Sequence, residues 1–199
     1  LLNDGEQDFG TVVIDLGGGQ TTTSIIHDHQ LKYTFVDPEG GQYVTKDIST
    51  VLNTSLKNAE KLKLNHGYAD HSLADADANI NVNVVGKNEP EQFTEEYLAE
   101  VIEARMRQIF ERIHQRLQAI HAPELPGGVT IIGGGAAMPG VKELAQEYFA
   151  GSIKVYSPEQ MGIRHPGYAT GLALAMYENQ LSDVDKLIKQ TIQQPDIIE

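Results

Sequence analysis

Asp15 is delivered by an apolar run into three consecutive glycines, Gly17, Gly18 and Gly19, and the polar stretch "QTTTS" then leads into a second β-prone run. Glycine lacks a Cβ, so consecutive glycines reach positive φ and let backbone N–H groups converge on an anion. A carboxylate at the lip of such a cradle suits a phosphate chain with bound Mg²⁺. That ion holds its hydration shell and would meet Asp15 through water. A strand follows the glycines where the Rossmann and P-loop patterns need a helix, and no Gly-Lys-Ser/Thr ending is present, so neither pattern applies. Taken alone, the stretch reads equally as a tight hairpin turn.

A second run, Gly133 to Gly135 in "IIGGGAAMPG", ends a late strand and opens onto a helix. Such a turn admits a flat ring or a phosphate against the backbone. It also reads as an ordinary strand-to-helix turn, with Gly140 near the helix start. Two such runs in one chain favour a ligand over two coincidental turns. Other polar groupings carry less. Glu60 and Lys63, one helical turn apart, form by themselves an i,i+3 ion pair on a helix surface. The "HDH" at His27 to His29 offers metal-ligand types, but neighbours on a hairpin point apart and the stretch reads as a solvated turn. No Ser-His-Asp constellation can be argued.

The elements that must position these residues follow from pattern. "TVVIDLG", "TTTSIIHD" and "LKYTFVD" read as three strands of an antiparallel meander. Ile48, Val51, Leu52 and Leu56 fall at helical spacing behind a start at Thr45 or Asp47, and "NAEKLKLNHG" reads as a second helix stopping at Gly67. "YADHSLADADANI" is a polar loop, "NVNVVG" a strand and "NEPEQ" a turn. From Thr94, an N-cap followed by Glu95 and Glu96, one apolar stripe runs through Leu98, Ile102, Met106, Ile109, Ile113, Leu117 and Ile120. "VTIIGGG" is a further strand and "PGVKELAQEYFAG" an amphipathic helix with Val141, Leu144, Ala145, Tyr148 and Phe149 on one face. "IKVYSP" is a last strand, "GYATGLALAMYE" a mostly buried helix, and the remainder a polar tail.

The 199 residues suffice for one large domain or two small lobes. A formal charge of −13, without a basic stretch, argues against a nucleic-acid face. There are no cysteines, which excludes thiolate metal sites and disulfide scaffolds and fits a reducing cytoplasm. No apolar run approaches the length of a membrane span. The opening "LLNDGEQDFG" carries no leader pattern and reads like a chain cut from something longer.

These segments, taken together, resemble a known family. "IDLGGGQTT", "GGQYVTKDISTVLNTSLKNAEKLK" and "IIGGGAAMPGVKELAQEYF" look like the second phosphate loop, connecting segment and adenosine loop of the actin-like ATPases. Within these, the segments, together with "LAEVIEARMRQIFERI" and "MGIRHPGYATGLALAM", are similar to the FtsA family of bacterial cell-division proteins, particularly its Gram-positive forms. The resemblance covers about residues 8–178. It implies an α/β fold, the second lobe of an actin-like ATPase. That lobe would comprise a ribonuclease-H-like subdomain (8–57 and 124–178), an inserted small α+β subdomain (58–123) and a polar tail or linker (179–199).

The resemblance further implies ATP and Mg²⁺ as ligands. Asp15 would govern the metal and its water as the catalytic carboxylate, and Gly17, Gly18 and Gly19 would hold phosphate. Gln20 stands where many relatives carry a hydroxyl, which puts the role of Thr21 in question. Glu60 and Lys63 would reach ribose and adenine, while Gly134 and Gly135 would lie against the adenosine with Met138 flanking the base. The long helix would dock the C-terminal tail of the tubulin-like ring protein FtsZ through Arg105, with Glu103 and Gln108 beside it. Implied as well are self-association into filaments, other division proteins as partners, and a place at the cytoplasmic face of the membrane at the septum. Membrane attachment would run through a segment the chain lacks, and no ATP turnover is expected of one lobe. An actin-fold phosphotransferase or phosphohydrolase, of sugar-kinase or exopolyphosphatase type, fits the same glycine turns.

Overall fold

The computed structural model describes residues 1–159, 161, 162 and 164–182. A short helix, α1 (Asp4–Phe9), leads into three strands, β1 (Thr11–Leu16), β2 (Thr21–His27) and β3 (Gln30–Asp37), which form the expected antiparallel meander. Asp28 and His29 both take φ of +54°, the two-residue hairpin geometry whose twist matches that of the strands. The chain then leaves the sheet for α2 (Gly41–Val51), α3 (Leu56–His66), the hairpin of β4 (Asn79–Val82) and β5 (Glu91–Thr94), and α4 (Glu95–Ala119). It returns as β6 (Val129–Ile132), which pairs in parallel with β1, and continues through α5 (Val141–Gln146) to β7 (Ile153–Val155) and α6 (Ala169–Gln180). The sheet order is β3-β2-β1-β6-β7, and β4 and β5 form a separate two-stranded sheet.

Alternation in β1 buries Val12, Ile14 and Leu16 and leaves Val13 and Asp15 half-covered. The buried set joins the stripe of α4, where Leu98, Ile102, Met106, Ile109 and Ile113 are enclosed and Leu117 and Ile120 flank them, as the spacing predicts. Thr94 caps α4 as expected, its hydroxyl accepting from the Tyr97 N–H at 3.1 Å. Phe110, at the centre of α4, packs edge-on against Phe149 at 5.7 Å between ring centres.

Several local expectations need correction. The helix α2 does not start at Thr45 or Asp47. It begins at Gly41 behind Gly40, because its first N–H groups find acceptors in the carbonyls of Gly17 and Gly18, at 2.9 and 2.8 Å, and need no side-chain cap. Leu56 does not continue that helix: α2 ends at Val51, and Leu56 opens α3 behind Ser55, whose side chain caps it. The short helix α1, for which the pattern reading placed no element, is closed by a capping box in which Asn3 and Glu6 exchange backbone-to-side-chain bonds of 2.8 Å. Glu91 and Gln92, read as turn, pair with β4. Finally, α6 is not mostly buried. Its first residue, Ala169, is enclosed, but Leu174 is 66% exposed and Met176 and Tyr177 are exposed as well. Of the polar tail expected over 179–199, residues 183–199 lie outside the described residues.

Candidate functional site

A cavity of about 460 Å³ opens where the two glycine runs, α2 and α3 approach one another, within the size range of small-molecule sites. Each wall has a local cause. The parallel pairing of β1 with β6 sets Asp15 beside Ile132, so the turns that follow the two strands emerge side by side. Gly133 takes φ of +91°, and a Cβ there would fall 2.7 Å from the Leu16 carbonyl oxygen. Glycine is therefore the residue that lets the second turn cross the first. From the other side, a Cβ on Gly40 would come within 2.8 Å of the Gln20 nitrogen and the Gly18 oxygen, so the start of α2 rests directly on the first glycine turn. With the carbonyls of Gly17 and Gly18 engaged by α2, the N–H groups of Gly18 and Gly19 make no hydrogen bond among the described residues. Such free donors beside a helix start can receive an anion.

Away from the glycines the cavity is apolar, walled by Val44, Leu64, Met106, Ile109 and Met138. One polar cluster interrupts this wall. The Lys63 side chain, only 10% exposed, donates to the Gly41 carbonyl at 3.0 Å, the Thr45 hydroxyl at 2.9 Å and the Glu60 carboxylate at 2.8 Å. Thr45 in turn donates to Glu60. Burial pushes the Glu60 carboxyl up, but the bonds from Lys63 and Thr45 outweigh it and hold the group below its ordinary value. Glu60 and Lys63 thus pair at the cavity wall with the lysine enclosed and the glutamate 44% exposed.

The structure gathers eight of the expected ligand residues on this cavity. Gly17 and Gly18 form its glycine lip, Gly134 and Gly135 the facing turn, and Thr21, Glu60, Lys63 and Met138 complete the set. Thr21 is buried and its hydroxyl donates to the Glu39 carbonyl at 2.9 Å, so it braces the loop. Gly19 and Gln20 are exposed and lie off the cavity wall. Asp15 also stands behind the wall, where its carboxylate accepts from the Thr170 hydroxyl at 3.0 Å at the start of α6. Pattern reading missed Gly40, Gly41 and Thr45, and also His165, which lines the cavity and accepts the Gly167 N–H on Nδ1 at 3.0 Å. The signal for the first two was the second glycine pair in "PEGGQYV". For Thr45 it was a hydroxyl on the buried side of α2.

The three residues expected to form one docking patch on α4 do not share a surface. Arg105 binds Asp47 with two bonds of 2.6 and 3.0 Å, Glu39 at 2.8 Å and Gln108 at 2.9 Å. These bonds, that to Asp47 foremost, raise the Arg105 pKa. Glu103 points elsewhere and is buried, 6% exposed. It accepts from the His71 N–H and ring at 2.6 Å each and from Arg107 at 2.7 Å, and Arg107 continues to Glu147. Burial pushes the Glu103 carboxyl up, yet these bonds hold it below its ordinary value, and the Glu103 bond raises His71.

Both the sequence and the fold have known relatives. The family model described as "Cell division protein FtsA" matches residues 12–173. Cell division protein FtsA of Enterococcus faecalis is 52% identical over 192 residues, 96% of this chain and 44% of that protein, so the chain spans less than half the length of such relatives. Among solved structures, MreB5 of Spiroplasma citri bound to AMPPNP superposes with a TM-score of 0.71 at 18% identity, covering 95% of this chain and 57% of the other. The MamK double helical filament gives 0.58 at 16% identity, covering 81% and 54%. The fold is that of the actin-like ATPases, and by its sequence the chain belongs to the FtsA family of cell-division proteins.

Proposed function

We propose that the chain is the second lobe of an FtsA-type protein and carries half of an ATP site. The supporting observation is the cavity in which free N–H groups of one glycine turn, the backbone of a second and the Glu60–Lys63 pair converge beside apolar walls. In this reading a nucleoside lies with its ring against Gly134, Gly135 and Met138, and its phosphates reach the free N–H of Gly18 at the cavity lip and of Gly19 just beyond it. The MreB5 relative in fold was solved with AMPPNP, which makes a nucleotide the natural occupant. Mg²⁺ would supply charge neutralisation at the phosphates, with Asp15 the residue proposed to meet its water shell. Division between a ribonuclease-H-like part (8–57, 124–178) and an inserted part (58–123) is proposed with it.

The wider role follows from family membership. In this reading the intact protein assembles into filaments, as MamK does in its double helical filament. It would bind the FtsZ tail on the face of α4 and link that polymer to the membrane at the septum. Among the described residues no helix is long and apolar enough to cross a membrane. Attachment, in this reading, uses another segment.

Equilibrium binding of a fluorescent ATP analogue with Mg²⁺ tests the nucleotide reading. The full protein carrying this chain should bind, and Gly134→Val should abolish binding. Micromolar binding to the 199 residues alone would overturn the half-site assignment. Titration of an FtsZ tail peptide against this chain tests docking. Gln108→Ala is the informative variant there, because Arg105→Glu would also set a carboxylate against Asp47 and Glu39.

A further inference from the structure

Two arginines of α4 converge on one carboxylate oxygen that belongs to the approach to the glycine turn. Glu39 Oε2 accepts from Arg105 at 2.8 Å and from Arg112 at 2.7 Å. Each guanidinium is also anchored by a two-bond fork, Arg105 to Asp47 on α2 and Arg112 to Asp37 at the end of β3, at 2.6 and 3.0 Å in both cases. Planar forks of this kind fix orientation as well as distance. The backbone of Glu39 is held in addition by its own N–H, which donates to Asp37 at 3.0 Å, and by its carbonyl, which accepts from Thr21.

Immediately after Glu39 come Gly40 and Gly41. The Gly41 and Gln42 N–H groups clasp the Gly17 and Gly18 carbonyls. The chain of contacts therefore runs from α4 by ion pairs to Glu39, along the backbone through Gly40, and by hydrogen bonds from Gly41 and Gln42 to the first glycine turn. We infer that Glu39, bridged by Arg105 and Arg112, is a positioning residue that holds the glycine turn in its ligand-receiving conformation. It touches no ligand itself. Its effect is to keep the carbonyls of Gly17 and Gly18 turned onto α2, which leaves the Gly18 and Gly19 N–H groups free. As a role in ligand binding this rests on the nucleotide reading above; as a role in loop geometry it does not.

Amide exchange and binding separate the two. In the full protein, Glu39→Gln and Glu39→Ala should speed exchange at the Gly41 and Gln42 amides by about tenfold, with amides of β4 and β5 unchanged. The same variants should weaken binding of a fluorescent ATP analogue with Mg²⁺ by about fivefold to tenfold. Arg107→Gln, which cuts the other ion-pair network of α4, is the control for general destabilisation and should leave both readings at the unsubstituted level. Unchanged exchange at Gly41 and Gln42 in the Glu39 variants would overturn the inference. So would faster exchange with unaltered affinity in a protein that binds the analogue, or an equal response to Arg107→Gln. If the unsubstituted protein binds no analogue, the nucleotide reading fails and the exchange result alone decides the bracket.

Discussion

Lys63 and Thr45 meet at the cavity wall, the ammonium donating to the hydroxyl at 2.9 Å, and this contact completes the lysine's three donors, the others reaching Gly41 and Glu60. A lysine so engaged acts on a ligand through what it holds in place. In the nucleotide reading proposed above, the carboxylate of Glu60, oriented by both neighbours, would be the polar group that meets a ribose hydroxyl.

Lys63→Met should therefore be costly before any ligand is added. It strips the Glu60 carboxylate of its cation and removes a charged donor from the Gly41 carbonyl and the Thr45 hydroxyl, for a loss of about 1–3 kcal/mol. Urea unfolding of the chain would measure it. A midpoint unchanged from that of the unsubstituted chain would mean that Lys63 is not held as described.

Stability should fall at both ends of the pH range, for opposite reasons. Glu60 and Glu103 have folded pKa values below their ordinary 4.5, so their contribution is complete above that value and is lost as pH falls through the lowered one. His71 is raised above its ordinary 6.5, so its contribution is complete below 6.5 and is lost as pH rises through the raised value. Unfolding measured across pH should show a shallower acid limb in Arg107→Gln and a flatter neutral limb in His71→Ala.

Gly40→Ala should destabilise the chain by at least about 2 kcal/mol, because the added methyl meets backbone atoms of the glycine turn and not a side chain that could move aside. The two backbone bonds between α2 and that turn would lengthen together. Thermal unfolding and exchange at Gly41 would report both effects, whereas Gly19→Ala, with no atom near its added methyl, should unfold close to the unsubstituted chain.

Phe110→Ala removes the largest enclosed side chain of α4 and the edge-on partner of Phe149, at a cost of about 3–5 kcal/mol. Chemical denaturation with an unchanged slope would identify the effect as a packing loss.

Periodicity carried most of the architecture. The stripe from Leu98 to Ile113 and the alternation of β1 are patterns set by burial, and burial is what the fold delivers. Where burial depends on elements brought from far along the chain, pattern alone misleads. Thus α6 has the composition of an enclosed helix yet stays open, and "GLALAM" holds nothing that distinguishes the two. Helix starts divided in the same way. Thr94 caps α4 with its own hydroxyl, so its neighbours reveal it; the Asn3–Glu6 box is equally local, yet the pattern reading passed over it. The start of α2 is not local, because its acceptors are carbonyls more than twenty residues upstream. The glycine turns could be found from composition, but only the pairing of β1 with β6 turns two loops into one cavity. The α4 residues Glu103 and Arg105 were close in sequence and shared a family rationale. Their separation on the helix follows from an offset of two residues, which places side chains on nearly opposite sides.

The pairing of β1 with β6 also says something about how the molecule tolerates change. The chain leaves the sheet at the end of β3 and rejoins it beside β1, where Val12 sits next to Val129, so everything from Pro38 to Gly128 is, for the sheet, a single excursion whose ends are already fixed. The entropy of closing such an excursion rises only with the logarithm of its length, about 0.6 kcal/mol for each doubling. Segments within it can therefore lengthen, shorten or be exchanged at small thermodynamic expense, provided that Glu39 to Gln42 and the Thr45, Glu60 and Lys63 cluster keep their places. The central sheet is in this sense a frame on which new surface can be tried without dismantling the cavity.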